Sequence, residues 1–263
     1  MSTMRRVRWR LMAAAVAGGV LLGGLPLLLP DPVAADFGSI LVPPSWGHPL
    51  GTDQLGRDVA ARLLAGARLT LGVTIVTVLL TGIAGTVVGL IAGYRAGRVA
   101  RALPRLADLV ASLPTILLGL LATVILGPGL TSVLIAVCLV GWTPFARQAY
   151  HLTVRESAQD HVDAARALGA RPARVLARHI VPTIAGPLVA HACVRFAGTL
   201  LTVSGLSFLG LGVQPPTPEW GAMVAEGRPY LFGSPHLVLA PALAVVATAT
   251  LATVLGRRLD RDR

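Results

Sequence analysis

The sequence predicts an all-α membrane protein with six spans, and three observations predict it. The first is composition: of 263 residues, 54% are hydrophobic and only 13% are charged, with a mean hydropathy of +0.71. A soluble domain with so few charges would not stay dispersed. The second is length. A bilayer core of about 30 Å needs roughly 20 helical residues, and six apolar runs approach that: Leu11–Leu29, Leu69–Ala92, Leu106–Leu126, Leu130–Ala146, Pro187–Leu211 and Leu237–Leu255. The third is the placement of charge. All 23 basic residues are arginine, with no lysine, giving a net charge of +11, and the arginines gather in alternate connections between the runs.

Each run has its own grammar. Leu11–Leu29 follows Arg5, Arg6, Arg8 and Arg10. At 19 residues it exceeds the usual apolar region of a secretory signal, about 7–15 residues, so it reads as a retained span. A signal cleaved after Ala35 is the alternative. Residues 36–68 then form an extracytoplasmic segment, in which "GTDQLGRDVAARLLAGAR" reads as a helix lying along the outer surface. The second run carries Gly85, Gly89 and Gly93, four apart, a spacing that lets another helix approach one face closely. Gly205, Gly210 and Gly212 suggest the same at the end of the fifth run. The third run contains Asp108 and Pro114, and the fourth is short and ends near Pro144. Prolines are tolerated in spanning helices where neighbours satisfy the freed backbone groups.

Charge sets the orientation. Arg95, Arg98, Arg101 and Arg105 lie between the second and third runs. Arg147, Arg155, Arg166, Arg171, Arg174 and Arg178 lie between the fourth and fifth, and Arg257, Arg258, Arg261 and Arg263 follow the sixth. The other connections are balanced or neutral: Asp31, Asp36, Asp53 and Asp58 offset Arg57, Arg62 and Arg68, while Glu219 and Glu226 face Arg228. This is the positive-inside pattern with both termini cytoplasmic. It accounts for the net charge through the lipid bilayer, without nucleic acid. Pro215, Pro216, Pro218 and Trp220 then fall outside, as a stiff platform or an interfacial anchor. The parts are a tail with the first span (1–35), the outer segment (36–68) and a five-span core (69–263) holding a charged loop at about 147–182.

That loop contains "DHVDAARALGARPARVLARHIVP", Asp160 to Pro182. Glu156 to Leu168 reads as one helix with acids near its start. Gly169 stops it, since glycine accepts the left-handed conformation of a helix C-terminus. Pro172 suits the first turn of a second helix, Ala173 to Ile180, which Pro182 and Pro187 end. Val162, Ala165 and Leu168 recur every three residues with Ala164 beside them, a small face for close docking. Arg166, Arg171, Arg174 and Arg178 offer charge to an acidic partner.

These residues resemble the cytoplasmic EAA loop of ATP-binding-cassette (ABC) importer permeases. The pattern Glu-Ala-Ala, three residues, Gly, nine residues, Ile-x-Leu-Pro reads here as Asp163-Ala164-Ala165, Gly169 and His179-Ile180-Val181-Pro182. Asp163, His179 and Val181 depart from it. "HPLGTDQLGRDVAARLLAGARLTL" (48–71) and "LSFLGLGVQPPTPEWGAMV" (206–224) resemble the oligopeptide, dipeptide and nickel subfamily, in the type related to the dipeptide permease's C subunit. The resemblance implies a type I importer permease fold. It implies pairing with a second homologous permease, one or two cytoplasmic ATPases that carry ATP and Mg²⁺, and an extracytoplasmic solute-binding protein. It also implies that Asp163, Ala164, Ala165, Gly169 and Pro182 couple this chain to the ATPase. This chain would need no cofactor, and peptides, related small solutes or nickel would be the cargo.

The sequence agrees with that division of labour. A phosphate-binding loop needs a lysine after its glycines, and this chain has none. An intramembrane aspartyl protease would need two buried aspartates, whereas Asp108 alone lies in a run. Ser204, Ser207 and His191 lack a nucleophile motif around them. Cys138 and Cys193 sit in apolar runs as small core residues, and the six histidines show no metal-ligand spacing. No catalytic residue is assigned. A self-contained channel or secondary transporter would want intramembrane ion ligands or inverted repeats. Arg195, inside the fifth run, is the one cation placed to face a pathway, with snorkelling to the cytoplasmic surface as its other reading.

Overall fold

The computed structural model describes residues 31–95 and 98–261. The first apolar run, the tail before it and the choice between retained span and cleaved signal lie outside these residues. Among the described residues the architecture is helical, with no strand beyond an isolated bridge between Thr52 and Asp58. In order, the helices are α1 (Val59–Tyr94), α2 (Arg98–Ala111), α3 (Thr115–Leu126), α4 (Leu130–Ser157), α5 (Asp160–Ala167), α6 (Pro172–Phe208), α7 (Trp220–Gly227) and α8 (His236–Arg261). Four of them, α1, α4, α6 and α8, are long and apolar enough to cross a membrane alone.

The third run is a broken element. Ala102–Ala111 and Thr115–Leu126 meet at an angle of 75°, and together they make one candidate span. Pro114 stands at the break with φ −65° and ψ 116°. A proline ring disfavours helical backbone in the residue before it and has no N–H to continue the ladder. The fourth run, in contrast, does not end at Pro144. Its helix continues for 28 residues to Ser157. Pro144 cannot donate to the Val140 carbonyl, and the Thr143 hydroxyl does so instead at 2.9 Å, which keeps the carbonyl satisfied in an apolar setting.

The segment expected to lie as a separate surface helix is the beginning of α1, which runs unbroken for 36 residues from Val59. Pro182 and Pro187 likewise fail to end a helix. A π-helical turn at Leu176–Ile180 absorbs the change, with the Val181 N–H bonded five residues back to the Leu176 carbonyl, and α6 passes through both prolines. Such single π turns are a usual way to accommodate a ladder defect.

The described residues form two compact units, 31–72 with Val213–Ala244, and 73–212 with 245–261. In the first, an ion network ties the start of α1 to α7. Arg57 contacts Asp53 at 2.6 Å and Glu226 at 3.1 Å, while Arg62 contacts Glu226 at 2.8 Å and Asp53 at 3.4 Å. Glu219 caps α7 by accepting the Ala222 N–H at 3.0 Å and takes the Thr70 hydroxyl at 2.9 Å. Trp220 is a core residue rather than an interfacial anchor: it is 5% exposed and its indole donates to the Leu63 carbonyl at 2.8 Å.

In the second unit the glycine stripe packs helices together. A Cβ on Gly85 would meet Phe145 Cβ at 2.7 Å, one on Gly89 would meet Ala149 Cβ at 2.7 Å, and one on Gly93 would meet Thr153 Cβ at 2.8 Å. So α1 lies backbone to backbone against α4. The later glycines act differently. Gly205 has open space around it, Gly210 is a turn residue at φ +80°, and Gly212 lies against Ser207. Gly119 of α3 abuts Leu206 of α6, and Gly256 of α8 abuts Cys193 and Val194.

Candidate functional site

The charged loop folds as a helical hairpin. Helix α5 starts at Asp160 rather than Glu156, because α4 runs on to Ser157 and Gln159 is extended (φ −85°, ψ 144°) between them. Asp160 and Asp163 occupy its first turn, where carboxylates suit the positive end of the helix dipole. Glu156 stays on α4 and meets His161 at 3.3 Å.

The end of α5 is a Schellman turn. Gly169 has φ +80°. Its N–H bonds to the Arg166 carbonyl at 2.9 Å, and the Ala170 N–H bonds to the Ala165 carbonyl at 3.1 Å. This pair of bonds satisfies carbonyls the helix leaves open. Pro172 then opens the second arm.

The hairpin carries its own core. Val162, Val175, Ile180 and Ile184 are buried, with Leu90, Tyr94, Leu152, Ala170, Leu176 and Leu188 packed around them. Val162 and Leu168 therefore do not share a docking face. Val162 is 0% exposed and Leu168 is 89% exposed. Two steps of three residues turn a helix well past its starting direction, and Leu168 is the cap residue beyond the last helical turn. The exposed surface includes Asp160, Asp163, Ala164, Ala167 and Leu168, with Ala165 partly covered. Arg171, Arg174 and Arg178 are also exposed.

Arg166 is not free for a partner. Its Nη1 donates to Asp163 Oδ1 at 2.8 Å and to the Ser157 carbonyl at 3.0 Å, and its guanidinium lies 5.3 Å from the Tyr94 ring centroid. Tyr94 first, and then Asp163, hold its pKa above the ordinary value. The ion pair was legible as a spacing of three on a helix. Tyr94 was not, since it lies far away in sequence at the end of an apolar run.

The remaining site residues lie apart. Pro182 stands in the first turn of the regular helix that follows the π turn. Arg195 is midway along Val181–Phe208, about 20 Å along the axis from either end. It is half-buried and makes no ion pair or hydrogen bond among the described residues. One turn before it, His191 stacks edge-on against Phe145 at 5.2 Å, and its Nε2 is buried without a partner.

Known proteins share this organisation. The chain is 37% identical over 221 residues to a glutathione transport system permease protein of Pectobacterium atrosepticum, spanning 84% of this chain and 73% of the relative. It is 37% identical over 223 residues to a di/tripeptide transport system permease protein of Pseudomonas aeruginosa, spanning 82% and 74%. It is 36% identical over 259 residues to a nickel transport system permease protein of Escherichia coli, spanning 98% and 94%. Its fold superposes on a solved inward-facing structure of the MetNI methionine ABC transporter with a TM-score of 0.62, at 20% identity, covering 76% of this chain and 95% of that one. The family model described as the binding-protein-dependent transport system inner membrane component matches residues 85–263. With its long apolar helices and its hairpin between α4 and α6, the chain belongs to that family and is a multi-pass membrane permease of the ABC importer type.

Proposed function

We propose that this permease imports di- or oligopeptides or related small solutes, nickel among them, across the plasma membrane by alternating access. Partner ATPases that bind ATP and Mg²⁺ supply the energy, a second homologous permease completes the pathway, and an extracytoplasmic binding protein delivers the cargo. Both termini face the cytoplasm, as the arginine distribution favours. The observation that carries the reading is the outward face of α5. Asp163, Ala164 and Leu168 project from a hairpin whose other face is fixed by its own core. A small, rigid, amphipathic helix of this kind suits a groove on a soluble partner. Asp163, Ala164 and Ala165 are the contact residues, Gly169 sets the turn, and Pro182 starts the regular helix that receives the motion.

The test is a tagged pull-down from native membranes in mild detergent, with every co-purifying chain identified. The expected result is a second, different permease and one or two P-loop ATPases. Recovery of a stable homo-oligomer without an ATPase would overturn the reading in favour of a channel or secondary transporter.

Arg195 is proposed to face the pathway and meet an anionic group of the cargo. An unpaired cation halfway along an apolar helix is a functional candidate by default, and the unpartnered His191 nitrogen beside it adds a polar group to the same face. Arg195→Ala is expected to lower uptake of a cargo identified through the co-purified binding protein by about tenfold or more, the scale of a lost charged hydrogen bond. Unchanged uptake with normal assembly would retire the assignment.

A further inference from the structure

We propose that Arg166 is a positioning residue that latches α5 to the ends of α1 and α4, so that a displacement of α5 is passed to α1. The inference rests on the coupling role proposed for α5 and adds the route by which motion leaves it.

The guanidinium joins three elements. Through Nη1 it holds Asp163 of α5 at 2.8 Å and the carbonyl of Ser157, the last residue of α4, at 3.0 Å. Its Cζ lies over the ring of Tyr94, the last residue of α1, 5.3 Å from the ring centroid. Each contact has a distinct physical cause. Ser157 offers one of the carbonyls left open at a helix C-terminus, where the dipole favours a cation. Asp163 lies one turn earlier on the same helix and fixes the arginine rotamer. Tyr94 presents an aromatic face that attracts a cation. Only arginine can donate in a planar fork and stack on a ring at once; a lysine ammonium is a point charge.

A second anchor makes this a latch rather than a decoration. Val162 sits four residues before Arg166, on the same face of α5, and is fully buried in the cluster with Val175, Ile180 and Ile184, against which Leu90 and Tyr94 of α1 and Leu152 of α4 pack. One anchor would let a short helix pivot between its flanking turns. Two anchors a turn apart oblige α1 and α4 to follow its tilt. Arg166 thereby also leaves one carboxylate oxygen of Asp163 to face outward, on a side chain that is 64% exposed.

The test uses the assembled importer with its co-purified ATPases in lipid nanodiscs, read by amide hydrogen exchange. MgATP with vanadate is expected to change exchange both at 160–168 and at 88–95 in the wild type. Arg166→Gln is expected to keep the ATPases and their hydrolysis and to keep the response at 160–168. Its response at 88–95 should fall about tenfold, the scale of a lost charge-assisted contact. Arg166→Lys should lose it as well. If Arg166→Gln fails to assemble, Tyr94 decides: Tyr94→Leu, which removes ring and hydroxyl together, should lose the response at 88–95, and Tyr94→Phe, which keeps the ring without the hydroxyl, should keep a clearly larger one. An unchanged response at 88–95 in the Arg166 variants, equal responses in the two Tyr94 variants, or a wild type in which 160–168 responds and 88–95 does not would overturn the latch. Those outcomes leave the coupling role of α5 intact. A wild-type complex that retains no ATPase would overturn the coupling role itself and the latch with it.

Discussion

The two units of the chain treat charge in opposite ways. In the unit holding the start of α1 and α7, Asp53, Arg57, Arg62 and Glu226 form a closed set of two acids and two bases, with Asp53, Arg57 and Arg62 each less than 5% exposed. In the hairpin of the other unit, only Arg166 is committed to an internal carboxylate, while Arg171, Arg174 and Arg178 point outward without one. Paired buried charge is structural charge, because each member contacts another of opposite sign, even though Glu226 Oε1 is left without a partner. Unsaturated charge at an exposed surface remains available to a partner. The same residue type thus does two jobs, and the distinction lies in whether its donors are already occupied.

The sharpest way to break the comparison is to open the closed set. Glu226→Ala removes the carboxylate that both arginines share and leaves two buried cations with one acid between them. Losing one partner of a buried set costs about 3–5 kcal/mol, so the expected outcome is a large drop in melting temperature in detergent. A drop no larger than that of a surface variant would show that the network is solvated and that the contrast with the hairpin is false.

A second intervention acts beneath the hairpin. Gly89→Val places a branched side chain where even a Cβ would meet Ala149 Cβ at 2.7 Å. Overpacking of this kind costs about 1–3 kcal/mol. Since Leu90, Tyr94 and Leu152 support the hairpin core, prising α1 from α4 should also raise amide exchange across α5. Raised exchange confined to α1 and α4 would show that the hairpin is seated independently of the glycine stripe.

Sequence reasoning reached some of this and missed the rest for definable reasons. The apolar runs from Leu69 onward, the glycine stripe and the Gly169 turn were legible because each depends on local spacing. The glycine contacts confirm the packing of Gly85, Gly89 and Gly93, and the positive φ of Gly169 confirms the turn. Prolines misled wherever a local remedy existed. Pro144 does not end α4 because Thr143 supplies the missing donor, and Pro182 does not end α6 because a π turn precedes it. Trp220 looked interfacial because its partner, the Leu63 carbonyl, is more than a hundred residues away. Tyr94 was invisible for the same reason. Long-range pairing leaves no periodic trace, and it is what separates committed from available side chains.

The smallest expected effect on stability carries the largest expected effect on assembly. Leu168 is 89% exposed, and Leu168→Ser should move the melting temperature little, within the ±0.5 kcal/mol typical of surface positions. If α5 docks in a groove, however, Leu168 loses its exposure there. Burying a leucine side chain is worth about 1.5–3 kcal/mol, and each 1.4 kcal/mol is about tenfold in affinity. ATPase retention in a pull-down should therefore fall by roughly tenfold or more. Replacing Arg171, Arg174 and Arg178 together by glutamine should instead weaken retention mainly at low salt, since screening already blunts exposed charges at physiological ionic strength. Equal retention by Leu168→Ser and wild type would place the docking surface elsewhere on the hairpin. Loss in the serine variant with an unchanged melting temperature would separate, in one residue, what holds the hairpin together from what it presents.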